Sequence, residues 1–157
     1  MMDHEHFMRL AIEKAREGIA HGQTPFGACI VKDGQVVSLE HNCVWATTDI
    51  TAHAEIYAIR EACRALGTID LTGCVIYTTC EPCPMCFSAC HWARIKKIIY
   101  GAHIADAKNA GFHELTIPGP EMKRLGGSPV ELEGNVLGEE AARLFDEWLA
   151  HPERRAY

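Results

Sequence analysis

The stretch Cys74-Val75-Ile76-Tyr77-Thr78-Thr79-Cys80-Glu81-Pro82-Cys83-Pro84-Met85-Cys86 changes character part-way along. Residues 74–77 are the short apolar run of a buried strand. Cys83 and Cys86 follow, three positions apart around a proline. In a helix, positions i and i+3 share a face, so the two thiols can grip a single metal ion. Proline is tolerated in a helix's first turn, where its missing N–H would have no partner, so Pro84 predicts a helix that begins at the pair. The thiolates then lie at the positive end of the helix dipole, which favours their ionised form.

Two cysteines make an incomplete metal site, and an upstream stretch supplies what they lack. Thr51-Ala52-His53-Ala54-Glu55 opens a run in which Ile56, Ile59, Ala62, Cys63 and Leu66 recur at helical spacing and Gly67 marks a stop. Thr51 is the expected N-cap. In mid-helix His53 and Glu55 would point roughly 200° apart, since each residue turns the helix by about 100°. Only at a helix start can both reach one site. His-x-Glu followed by Pro-Cys-x-x-Cys is the zinc deaminase signature, in which one His and two Cys hold the metal and the Glu carries protons. Catalytic zinc commonly takes three protein ligands and keeps a fourth position open, as His53, Cys83 and Cys86 would.

Composition narrows the remaining classes. A chain of 157 residues suits one domain, taken as residues 1–157. The net charge of −6 gives no basic footprint for nucleic acid. No stretch reads as a signal peptide or reaches membrane-spanning length, and eight cysteines without a secretory signal suit a reducing, cytoplasmic setting. Cys29, Cys43, Cys63 and Cys74 lie in or beside apolar patterns and read as small buried hydrophobes.

Outward from the two motifs, helix and strand patterns alternate. Phe7, Leu10, Ala11, Ala15 and Ile19 mark a first helix closed by Gly22. Apolar runs at 25–31 and 36–39 flank Asp33-Gly34, a hairpin signal. Residues 42–50 read as a loop, and 97–100 as another buried strand. Strands joined by helices of this length predict right-handed crossovers and parallel neighbours, so the hairpin makes the sheet mixed. Residues 102–128, punctuated by Gly and Pro, read as a long loop with one short helix, which suggests a functional segment. A weak strand at 129–132 and a helix carrying Ala141, Leu144, Phe145, Trp148 and Leu149 complete the chain.

Two rival readings belong to other classes. Cys80, Cys83, Cys86 and Cys90 have the C-x₂-C-x₂-C-x₃-C spacing of an iron–sulfur electron carrier, although His91 stands where that run has proline. A non-catalytic zinc-binding module would need His53, Cys83 and Cys86 but not Glu55.

The chain resembles the cytidine deaminase superfamily, and within it the bacterial guanine deaminases. The resemblance rests on Pro25-Phe26-Gly27-Ala28, His41-Asn42, Thr51 to Glu55, Cys80 to Cys86, Trp92-Ala93-Arg94, Ala110-Gly111-Phe112 and Tyr157. It implies a three-layer α/β/α sandwich with a mixed sheet of five strands, one Zn²⁺ per chain, and a homodimer, sometimes with exchanged C-terminal segments. It also implies hydrolysis of guanine to xanthine and ammonia; guanosine, cytosine, adenine and tRNA adenosine are the alternative substrates. The tRNA deaminases share the zinc motif, but this chain is acidic and lacks their basic C-terminal helix. By the same resemblance His53, Cys83 and Cys86 are zinc ligands and Glu55 the proton carrier. Asn42 is a base-binding amide, Ala54 a further substrate contact, and Phe26 and Trp92 are aromatic walls. Asn42 also fits a loop cap, and the aromatics fit core positions equally. Ile50 replaces a common proline. His113-Glu114 replaces an acidic pair, so Glu114 is expected to meet the base, with Tyr157 closing the same pocket.

Overall fold

The computed structural model describes residues 3–157. In chain order it comprises α1 (His4–Ala20), β1 (Gly27–Lys32), β2 (Gln35–His41), α2 (Val44–Thr47), α3 (Ala54–Leu66) and β3 (Cys74–Cys80). There follow α4 (Pro84–Trp92), β4 (Lys97–Ala102), α5 (Ile104–Asn109), α6 (Gly119–Gly126), β5 (Glu131–Glu133) and α7 (Gly138–Leu149).

Asp33 (φ 50°) and Gly34 (φ 74°) both adopt positive φ, as a tight hairpin turn with the strands' own twist requires, and they set Lys32 opposite Gln35. A bulge between Ile30 and Val31 shifts the register of this pair. The single sheet runs β2-β1-β3-β4-β5. β1 is antiparallel to both neighbours, while β3, β4 and β5 run parallel, so the sheet is mixed as expected. The β2–α3–β3 connection passes over β1, so its two strands are not neighbours. The crossovers between parallel neighbours are β3–α4–β4 and β4–α5–α6–β5.

Every residue of β3 is buried, and β1 is buried up to Lys32, because helices cover both faces of the sheet. α1 and α7 pack together on one side; α3 and α4 pack together on the other, with α6 against α4. The result is the expected three-layer α/β/α architecture. Met8, Ile12, Ile30, Leu71, Ile76, Tyr77, Ile98, Ile99 and Leu144 are among its largest fully buried side chains. Gly27 lets α1 lie close on β1, since a Cβ there would sit 2.1 Å from the Ala11 carbonyl oxygen.

Several local expectations need correction. Thr51 does not cap α3: its hydroxyl bonds Asp49 Oδ1 at 2.6 Å, and His53 takes the N-cap position. Residues 42–50 contain α2. The segment 102–128 holds two helices, α5 and α6, rather than one, and the last strand sits two residues later than its sequence pattern suggests. Among the described residues no helix is long and apolar enough to cross a membrane.

Candidate active site

The starts of α3 and α4 meet. His53 and Cys83 are the two N-cap residues, with matching extended backbones (φ −63°, ψ 156° and φ −64°, ψ 168°). Neither side chain caps its own helix, which leaves both free for a metal. Cys86 enters from the first turn of α4, and the ligand atoms of His53, Cys83 and Cys86 all lie within 4.8 Å of one another. His53 Nδ1 is 3.7 Å from Cys83 Sγ and 3.4 Å from Cys86 Sγ. A tetrahedral zinc with bonds of about 2.3 Å to sulfur and about 2.0 Å to nitrogen separates such donors by about 3.6 Å, so the set fits the ion.

Electrostatics favour the same use. The Cys83 thiol is pulled down to about 4, most strongly by the neighbouring Cys86 thiol and also by His53, against the opposing effect of burial. Glu55, two residues after His53 and buried, is pushed upward by desolvation, while His53 pulls it the other way. A buried carboxyl with a raised pKa, next to the metal ligands, suits proton transfer.

Cys80 and Cys90 stand outside this group. Cys80 Sγ lies 3.5 Å from the His103 carbonyl oxygen, and Cys90 is fully buried in the body of α4. Among the described residues the donors that converge are His53, Cys83 and Cys86, with the histidine in the place a four-cysteine set would need another thiol.

A cleft of about 330 Å³ opens over the ligands, lined by Ile50, His53, Cys83, Pro84, Met85, His113, Glu114, Leu115 and Tyr157. Glu114 Oε2 is buried there without a hydrogen-bond partner, and burial pushes this carboxyl up to about 8. The Tyr157 ring lies 5.5 Å from the His53 ring. Asn42 is fully buried: its Oδ1 accepts from the Val44 N–H at 3.0 Å, and its Nδ2 donates to the Tyr157 hydroxyl at 2.7 Å. It therefore caps its loop and also reaches the cleft through Tyr157. Ala54 is buried at the first position of α3.

The two aromatic walls differ from expectation. Phe26 packs against Phe112 (5.0 Å between ring centroids) and Phe145 (5.7 Å), in a core cluster beneath the cleft. Trp92 is 82 % exposed at the end of α4, beside a separate groove of about 720 Å³ that contains no metal ligand. Within one chain it forms no wall of the cleft.

Sequence reasoning gave Glu81 no role, although it lies inside the quoted motif. Its carboxylate accepts from the Ile104 N–H at 3.2 Å and the Gly119 N–H at 2.7 Å, pinning the starts of α5 and α6 around the segment that carries Glu114. A carboxylate between Cys80 and Pro82 was the available signal; its partners, 23 and 38 residues away, were not.

Residues 1–102 match the model of the cytidine and deoxycytidylate deaminase zinc-binding region. The chain belongs to this family. The deaminase is 49 % identical over 114 residues to the guanine deaminase of Bacillus subtilis, covering 72 % of this chain and 73 % of that one. It is 46 % identical over 110 residues to a tRNA-specific adenosine deaminase of Aquifex aeolicus, covering 70 % and 72 %. Its fold superimposes on the guanine deaminase of Nitrosomonas europaea with a TM-score of 0.87 at 29 % identity, over 96 % of this chain and 86 % of that one. It is thus a zinc-dependent deaminase, and His53, Cys83 and Cys86 are positioned to bind its one metal ion.

Proposed function

We propose that this deaminase hydrolyses a free purine base, guanine first, to xanthine and ammonia. The observation that carries the reading is Glu114, whose buried oxygen has no partner in a cleft that also exposes His53 and Cys83. Guanine presents N–H donors along one edge, and a carboxylate accepts such donors well in a site closed to water. Those donors stabilise the ionised carboxylate against the desolvation that raises it. Similarity to two guanine deaminases, over most of the chain in one case, supports the choice.

In this reading zinc supplies a Lewis acid that lowers the pKa of water from about 15.7 toward about 7. Glu55 would accept the proton of the attacking water and pass it to a ring nitrogen, then take the remaining proton from the hydroxyl now on the attacked carbon and deliver it to the amine, which leaves as ammonia while the carbonyl forms. Tyr157 and the side chains of Ile50, Met85 and Leu115 exclude bulk water from the base.

The same proposal includes a homodimer in the cytoplasm. The exposed Trp92, beside a groove, is the kind of aromatic that interfaces favour. The Tyr157 hydroxyl meets Asn42 within one chain, and exchange of C-terminal segments between two copies would carry the same contact to the partner's cleft.

An ammonia-release screen of the zinc-loaded protein against purine and pyrimidine bases, nucleosides and tRNA tests the substrate. Guanine is expected to give the highest kcat/KM; a preference for tRNA would move the chain to the adenosine-editing branch. Glu114→Gln should lower kcat/KM for guanine by about 1–3 kcal/mol, the cost of an unpaired buried polar group, with zinc content unchanged. Wild-type kinetics in that variant would remove Glu114 from the site.

A further inference from the structure

Beyond α7 the tail runs over the surface, with residues 152–156 exposed and Tyr157 returning to partial burial. It is tied at two places. At the cleft, the Tyr157 hydroxyl accepts from Asn42 Nδ2 at 2.7 Å, and its carbonyl accepts from the His113 N–H at 3.0 Å. Two residues earlier, Trp45 Nε1–H donates to the Arg155 carbonyl at 2.9 Å, while the Arg155 guanidinium lies 4.1 Å from the centroid of the Trp45 ring. Trp45 belongs to α2, whose start is fixed by the Asn42 side chain. The indole and the amide that hold the tail are therefore anchored to each other.

We propose that Trp45 is a positioning residue for this enzyme: it clamps Arg155 so that Tyr157 stays across the mouth of the cleft. Its role in turnover rests on the reading that the cleft takes a purine base. Ordering an exposed tail costs conformational entropy comparable to the few hydrogen bonds that tie it, so the closed arrangement depends on each tie. A hydrogen bond to the backbone and a guanidinium stacked on the same indole restrain both the path of the tail and its twist. With the clamp gone, Tyr157 spends more time away from His53 and a bound base loses one wall.

The test uses the zinc-loaded protein and two variants. Trp45→Ala removes both contacts, whereas Trp45→Phe keeps an aromatic face for Arg155 and loses the N–H. KM for guanine should rise roughly tenfold in Trp45→Ala, with kcat within about twofold, and should rise less in Trp45→Phe. Zinc content should equal that of wild type in both. Trypsin cleavage after Arg154 and Arg155, followed by mass spectrometry, should speed up in the same order. An unchanged KM in Trp45→Ala would overturn the positioning role, and a lowered KM would recast the tail as an obstruction. Equal trypsin rates in all three proteins would overturn the clamp itself. Should wild type turn over no base, the purine reading fails, and the trypsin comparison, which needs no substrate, still decides whether Trp45 holds the tail.

Discussion

Glu55→Ala should lower turnover by about 10²–10⁴-fold, the usual contribution of a positioned acid–base group, and leave zinc content at one ion per chain. Glu55 lies at the second position of α3, two residues from a metal ligand, but it is not among the three side chains whose donor atoms converge. Losing it removes the proton carrier and leaves the metal's grip intact. The carboxylate is also buried without help from solvent, so the alanine variant should fold at least as well as wild type. Zinc analysis, thermal melting and ammonia release on one preparation separate the possibilities. Full activity in Glu55→Ala would put the proton carrier elsewhere; full zinc with lost activity excludes a merely zinc-binding module.

Removing Cys83 should have the opposite signature. Cys83→Ala leaves His53 and Cys86 as the protein's only donors in the group, and two ligands hold zinc far more weakly than three. Activity and metal should disappear together. Because zinc binds the folded chain, its loss also costs stability, about 4 kcal/mol where free zinc is a thousandfold above its Kd. At about 2–4 °C per kcal/mol for a chain of this size, Tm should fall by roughly 10 °C, and a chelator should bring wild type down to the same value. Full zinc occupancy in Cys83→Ala would sink the ligand assignment.

The ligands were readable because the helix starts that present them are locally encoded. Pro84 marks the first turn of α4, and Asp33-Gly34 fixes the hairpin by its own backbone preference. The cap of α3 departs from its sequence pattern for a physical reason: Thr51 is the better capping side chain, but the cap position is occupied by the residue that must face the metal. α2, with four residues, is too short for apolar periodicity to appear, and the Gly and Pro residues that punctuate 102–128 also begin and end α6. Trp92 and Phe26 show the limit of aromatic identity as a signal. One ends its helix in solvent and the other packs under the cleft, and burial of that kind depends on which element lies opposite. The ties from Asn42 to Tyr157 and from Trp45 to Arg155 cross more than a hundred residues, and no local pattern encodes them.

The central claim is hydrolytic deamination of a purine base at this centre, and turnover of guanine in ¹⁸O-labelled water tests it most directly. One ammonia should appear per xanthine, with one labelled oxygen on the carbon that lost its amine, and Glu55→Ala should suppress both together. No ammonia from guanine, with zinc at full occupancy, would contradict the account.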